Sequence, residues 1–366
     1  MAITKIPAAG FTGNNFRNIV INGDMSIAQR STSVASITGD GNGYYTIDRM
    51  VLQVATAGTW TMSQDTDVPT GQGFAKSLKL DCTTANGSLS AGSYLILDQR
   101  FEGQNLQYLK KGTANAVSLT ASFWVKSTKT GTFIVSLRDN DNSRNISKSY
   151  TIDVSNTWEK KTITYEGDTT GAFDNDNANS LQLLFFLAAG SDRSSGTLAT
   201  TWESTVNANR AVGQVNLADD TANDFYITGV QLEAGTSASD FEFLPVDVNL
   251  QRCLRYYLPL FDGGAGRYIA NAFYYSNTQI KIHVEAPVDM RVTPSIEQTV
   301  ASNCWIMYSN NSGQSFSNSL VMDGDIKTRF FSMYATLGDV SGTAGHAGGF
   351  FGVGSGGGFL ALSAEL

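Results

Sequence analysis

Apolar and polar residues alternate in short runs along this chain, and no stretch sustains a helical period for long. The clearest run is Val117–Val125. Val117, Leu119, Ala121, Phe123 and Val125 fall on one side of an extended backbone, and Ser118, Thr120, Ser122 and Trp124 on the other. Phe133, Val135 and Leu137 oppose Ile134, Ser136 and Arg138 in the same way. Leu95 and Leu97 oppose Tyr94, Ile96, Asp98 and Arg100. The pattern predicts strands over Asn18–Ile21, Arg49–Thr56, Thr59–Ser63, Ala75–Cys82, Tyr94–Phe101, Ala116–Lys126 and Gly131–Arg138. It continues with Ile146–Val154, Trp158–Tyr165, Leu181–Ala188 and Asp224–Leu232. Gly, Asn, Asp and Ser fill the connections. A short helix is expected near Gln104–Lys110, with Leu106 and Leu109 on one side.

After Glu233 the pattern changes. A polar connector leads to Phe241–Pro245, and Asp247 is placed to cap a helix over Val248–Leu258, whose apolar side is Leu250, Leu254 and Tyr257. Beyond it, further strands are expected, among them Tyr268–Tyr275, Gln279–Ala286, Cys304–Ser309 and Lys327–Leu337. The glycine-rich stretch 342–358 reads as a loop or a closely packed backbone region. The division expected is an irregular arm (1–17), a jelly roll (18–240), a linker with a short helix (241–258) and a C-terminal β domain (259–366). The fold class is all-β, an N-terminal jelly-roll sandwich followed by a helical joint and a C-terminal sandwich-like domain.

Composition agrees with many turns and little helix: 36 glycines, six prolines and 16% charged residues. The formal net charge of -8 disfavours a nucleic-acid partner, whose phosphates need a basic surface. No apolar run approaches membrane-spanning length, so no membrane insertion is expected. Cys82, Cys253 and Cys304 are odd in number and widely spaced. They suggest buried free thiols and folding in a reduced cytoplasm.

A series of degenerate pieces runs in order along the chain. Asn18-Ile-Val-Ile-Asn-Gly-Asp-Met25 comes first, then Gln99–Gly103 and Leu119–Lys126, then Tyr226–Gly235 and Gln251–Tyr257. Together they resemble bacteriophage tail-fibre proteins with a carbohydrate-binding-module-like jelly roll, particularly those of marine podoviruses. The resemblance implies a virion protein released by lysis, a homotrimer joined to other virion proteins, and recognition of a host cell-surface glycan. Related jelly rolls often hold a structural calcium by a glutamate after the opening Asn-Gly and an aspartate in the closing strand. The matching positions here are Ser26 and Thr228, which lack carboxylates; Asp24 or Glu233 is the alternative carboxylate source for a structural calcium, but neither calcium nor another cofactor is expected.

Catalysis is not indicated. His283 and His346 are the only histidines, too few for a histidine-centred triad or metal site, and each reads as a surface residue. Asp139–Asn142 and Asp174–Asn177 read as turns. Gly354–Gly358 is followed by no phosphate-loop lysine. Sugars are recognised by flat aromatic rings flanked by hydrogen-bonding side chains. The expected ligand-binding set is therefore Trp124, Tyr94, Asp98, Arg100 and Arg138, provided the strands bring them together. Trp60 and Trp158 are expected as core anchors, and Trp202 as packing under a polar loop. The alternatives are a purely structural virion protein and, less favoured, a polysaccharide depolymerase working through two carboxylates such as Asp98 and Glu102.

Overall fold

The computed structural model describes residues 16–39, 41–263, 266–300, 304–317, 319–323, 328–336, 341–353 and 359–366. Most of the expected arm and the whole of Gly354–Gly358 lie outside the described residues. The protein is all-β. In chain order its first half carries β1 (Ser33–Ile37), β2 (Gly41–Gly43), β3 (Val51–Ala55), β4 (Thr59–Asp65), β5 (Ser77–Thr84), β6 (Tyr94–Glu102) and β7 (Leu119–Ser127). These are followed by β8 (Gly131–Asp139), β9 (Arg144–Ile152), β10 (Glu159–Tyr165), β11 (Asn179–Ala189), β12 (Glu203–Ser204) and β13 (Asp224–Ala234).

Two antiparallel sheets form the N-terminal sandwich. One has six strands in the order β1-β4-β5-β13-β7-β10, the other seven in the order β12-β9-β8-β11-β6-β3-β2. Their inner faces supply one core. Leu119, Ala121, Phe123 and Val125 enter it from the first sheet, and Leu95, Leu97, Phe133, Val135, Leu137, Leu181, Leu183 and Phe185 from the second. The alternation read in the sequence thus assigns inside and outside correctly on β6, β7 and β8.

The opening segment Asn18–Ile21 is not a strand. The Asn18 side chain does what a ladder would do: its Oδ1 accepts from Leu232 N and Val20 N, each at 3.0 Å, and its Nδ2 donates to Val230 O at 3.0 Å. With the Asn18 side chain adding to two isolated backbone bonds, Ile19 N to Leu232 O and Val230 N to Gly23 O, each at 2.9 Å, the segment is held without a regular ladder. Gly229, at φ +61°, makes the bulge beside it. A Cβ there would stand 2.5 Å from the Phe74 ring.

The expected helix near Gln104–Lys110 is two 3-10 turns, Gly103–Asn105 and Gln107–Leu109. A four-residue helix, α1 (Ser191–Ser194), lies in the segment after β11. The helix α2 covers Val246–Leu254, starting earlier than expected because Pro245, not Asp247, takes the N-cap position. Tyr257 already belongs to the next strand.

The C-terminal half contains β14 (Tyr257–Phe261), β15 (Arg267–Ser276), β16 (Gln279–Glu285), β17 (Ser295–Thr299), β18 (Trp305–Ser309), β19 (Ser312–Phe316), β20 (Val321–Met322), β21 (Phe330–Thr336), β22 (Ala347–Gly352) and β23 (Phe359–Ser363). A three-stranded sheet, β14-β23-β17, packs on a seven-stranded one, β19-β18-β22-β15-β16-β21-β20. Their shared core includes Phe261, Ile280, Ile282, Trp305, Phe350 and Leu362. Part of the glycine-rich stretch is therefore a central strand, β22. Gly348 permits it, since a Cβ there would meet the Tyr308 carbonyl oxygen at 1.9 Å.

A polar junction joins the halves. Glu102, whose side chain is fully buried, accepts from Arg255 and from the Tyr256 hydroxyl at 2.5 Å. Burial alone would raise the Glu102 carboxyl; Arg255 and Tyr256 hold it below the usual range. Arg30 and Arg49 both pair with Glu365.

Candidate functional site

On the outer face of the seven-stranded sandwich sheet, strand register aligns a polar row. Arg100 on β6 lies opposite Gln182 on β11, Gln182 opposite Arg138 on β8, and Arg138 opposite Asn145 on β9. The next row contains Asp98, Leu184, Ser136 and Ser147, and the one after it Ile96, Phe186 and Ile134. The segment 190–215 folds over the apolar part, placing Ala211 and Leu198 against Ile96, Ile134, Leu184 and Phe186. The second apolar side of β11 is thus covered within the chain. The same segment lays Arg193 over the Tyr94 ring at 4.0 Å and Arg210 over Phe186 at 5.4 Å.

Tyr94, Asp98, Arg100 and Arg138 therefore share one face. Trp124 does not join them. It lies half-buried on the outer face of the six-stranded sheet, in register between Lys160 and Thr228. Alternation fixes which side of its own sheet a residue takes, and is blind to which of two sheets a strand enters. Trp158, expected in the core, is on this face too. Its indole N–H donates to Asp67 at 2.8 Å, and its ring meets Tyr226 edge-on at 6.2 Å. Trp60 is fully buried in the core, and Trp202 packs at the core's edge with its N–H on the Glu166 carbonyl.

The four assembled residues are not equally free. Asp98 is 0% exposed and accepts from Gln53 at 3.0 Å and from Arg100 and Gln182 at 3.3 Å. Its burial raises the carboxyl's pKa, with Arg100 opposing. Arg100 also donates to the Leu366 carbonyl and borders a cavity of about 660 Å³ at the junction, with Tyr108, Arg252 and Arg255. By contrast, Arg138 Nε and both side-chain polar atoms of Asn145 have no hydrogen-bond partner. Buried donors and acceptors left open in this way are costly; Arg138 is part-exposed and within a ligand's reach, whereas Asn145 is 0% exposed beside β12 and is not. Gln182, Asn145, Arg193 and Arg210 were missed in the sequence. The first two follow from extending the alternation rule to β9 and β11; the arginines lie in an aperiodic segment that offers no such signal.

The residues do not fit the calcium site of related jelly rolls. The Asn249 amide fills the place between the opening residues, donating to Ser26 Oγ at 3.1 Å, Asp24 Oδ1 at 3.2 Å and Asn22 Oδ1 at 3.4 Å. Thr228 donates to the Lys76 carbonyl, and Glu233 is taken by Ser239 and Gln231. An N–H donor at the centre of three oxygens repels a cation.

A second surface, also missed, lies on the outer face of the C-terminal seven-stranded sheet. Tyr275 and Phe330 are 60% and 59% exposed and flank a cavity of about 580 Å³. Phe273 stacks on His283 at 5.7 Å within it, while Lys281 pairs with Asp323. The alternation Asn271, Phe273, Tyr275 along β15 carried this signal.

Comparison of the sequence finds no matching protein-family model and no matching curated protein. Among solved structures, similarity is found to the enzymatically active domain of tailspike protein 4 of bacteriophage CBA120, at 16% identity and a TM-score of 0.31. It covers 60% of this chain and only 22% of the tailspike. The N-terminal cellulose-binding domain of a Cellulomonas fimi β-1,4-glucanase matches at 13% identity and a TM-score of 0.27, covering 48% of this chain and 85% of that one. A family 11 carbohydrate-binding module from Clostridium thermocellum, solved with a mixed-linked tetrasaccharide, matches at 12% identity and a TM-score of 0.26, over 59% and 95% of the respective chains.

Proposed function

We propose that this protein recognises a cell-surface polysaccharide without cleaving it, using the outer face of the seven-stranded sandwich sheet. The observation that carries the reading is the row Arg100, Gln182, Arg138 and Asn145. It sets polar side chains across four neighbouring strands, of which the part-exposed Arg100 and Arg138 are the ones a ligand reaches. A sugar chain presents hydroxyls at a spacing such a row meets, and Tyr94 borders it with a flat ring. Binding rather than hydrolysis is favoured because the acids near this face are already engaged, Asp98 by Gln53, Arg100 and Gln182, and Glu102 by Arg255 and Tyr256. Glycoside cleavage needs an unengaged pair of carboxyl groups astride the bond.

In this reading the protein serves as a virion tail-fibre or receptor-binding component and acts as a homotrimer, where several weak sites act together. The second reading, a structural virion protein, is favoured by the exposed aromatic face of the C-terminal sheet, which suits contact with a subunit or neighbouring virion protein. The test is retention of the full chain on polysaccharide from candidate host envelopes, with glycan length measured before and after. Retention with unchanged length is expected. Shortened glycan would replace binding by hydrolysis, and no retention would leave the structural reading.

A further inference from the structure

Three arginines of the sandwich's outer face lack counter-ions. Arg138, Arg193 and Arg210 each have an Nε without a hydrogen-bond partner, and none of the three forms an ion pair among the described residues. Arg210 is only 5% exposed. Its guanidinium is held over Phe186 and that of Arg193 over Tyr94, while Arg193 Nη1 reaches only the Gly92 carbonyl at 3.2 Å. Gln182, opposite Arg138, and Phe186 lie on the same face of β11, four residues apart, so the charges are spread over about 13 Å of strand. Asp98 on the same face already belongs to Arg100 at 3.3 Å, and Asp192, next to Arg193 in the chain, makes no ion pair with it.

Three cations gathered with no acid in ion-pair contact are expensive, and the cost shows in their protonation, which Asp192 and Asp98 only partly offset. Burial, and then Arg138 and Arg193, push Arg210 down to about 10, and burial lowers Arg138 and Arg193 as well. A chain of net charge -8 has many carboxylates, yet sets none of them in ion-pair contact with these three arginines. Arginine suits the task, because its planar fork meets a carboxylate or sulfate with two hydrogen bonds.

We infer that this face takes an anionic glycan, with Arg138, Arg193 and Arg210 receiving the oxyanion groups of uronate or sulfated sugars. The inference rests on the reading of the same face as a glycan surface, and adds the charge of the ligand. The protein's overall negative charge repels a polyanion at long range, so retention must come from a local site.

The experiment uses the full chain in affinity electrophoresis through gels containing polygalacturonate, dextran sulfate or uncharged dextran. Retardation by a charged polymer, not by dextran, is expected. A polygalacturonate response identifies the carboxylate source and a dextran sulfate response the sulfate source. Arg138→Gln, at a half-exposed position with no partner to lose, should weaken that retardation at least tenfold while leaving the melting temperature unchanged. Arg210→Gln is the harsher variant and is read only if its melting curve stays cooperative. Equal retardation by dextran, unaffected by Arg138→Gln, would overturn the anionic preference and leave glycan recognition standing. Failure of all three polymers to retard the protein would overturn both.

Discussion

The guanidinium carbon of Arg49 stands 3.6 Å from the centre of the Tyr256 ring, joining the sandwich to the turn that follows α2. Arg49 is fully buried and its charge is met by Glu365, with a further hydrogen bond to the Arg100 carbonyl at 2.8 Å. A buried cation is tolerated only while its partners remain. Glu365→Ala should therefore lower unfolding free energy by about 3 kcal/mol, read from urea denaturation at pH 7. Adding Arg49→Met to it should restore part of the loss, since the stranded charge is then gone. A double variant less stable than the single one would contradict this account.

Asp224 on β13 lies in register with Asp81 on β5, with Lys79 at 3.5 Å. Burial, and then the Asp81 carboxyl, push Asp224 up to about 6 from its ordinary 3.8, against the pull of Lys79. A carboxyl whose pKa is higher folded than unfolded makes the native state bind more protons, so stability falls as pH rises from 4 to 6 and stays lower above. Asp224→Asn should raise stability by about 1 kcal/mol at pH 8, a figure already reduced for solvent screening. At pH 3.5 it should change nothing. Melting curves at the two pH values check the sign.

Trp124 and Arg138 occupy outer faces of opposite sheets. Trp124→Ala should leave polysaccharide retention within about twofold, whereas Arg138→Ala should lower it at least tenfold, equivalent to about 1.4 kcal/mol. The opposite ranking, measured on the same gels, would move the site to the six-stranded sheet.

Because the Asn249 amide already donates to the oxygens of Asn22, Asp24 and Ser26, millimolar calcium and a chelator should give melting temperatures within about 1 °C of each other. Asn249→Ala should cost about 2 kcal/mol, by leaving the oxygens of Asn22, Asp24 and Ser26 without their shared donor. A calcium-dependent rise in wild-type melting temperature would show that the amide gives way.

The sandwich was legible because its strands obey a two-residue period with one dry face, as Leu119 to Val125 and Phe133 to Leu137 do. Positions where a side chain replaces backbone pairing were not: Asn18 stands in for a strand, and no periodicity announces that. Glycine left two readings open over 342–358, loop or closely packed backbone, and at Gly348 in β22 the second holds, because the missing side chain lets the neighbouring strand approach. The candidate site was half legible. Tyr94, Asp98, Arg100 and Arg138 were on the correct side of their strands, but the assignment of Trp124 needed sheet membership, which is a long-range property. Arg193 and Arg210 reach the face from an irregular segment whose path only tertiary structure reveals.

Arg49 and Glu365 are 316 residues apart in the chain. At ordinary rates of synthesis the arginine leaves the ribosome roughly 15 to 60 s before its counter-ion is made. Every strand of the sandwich has emerged by then, so strand pairing is free to run to completion around a cation that is still hydrated. Closure of the junction is consequently a separate, late event. A nascent chain stalled between residues 235 and 364 should be recognisable by an Arg49 side chain that a guanidine-modifying reagent still reaches, and that the finished protein hides.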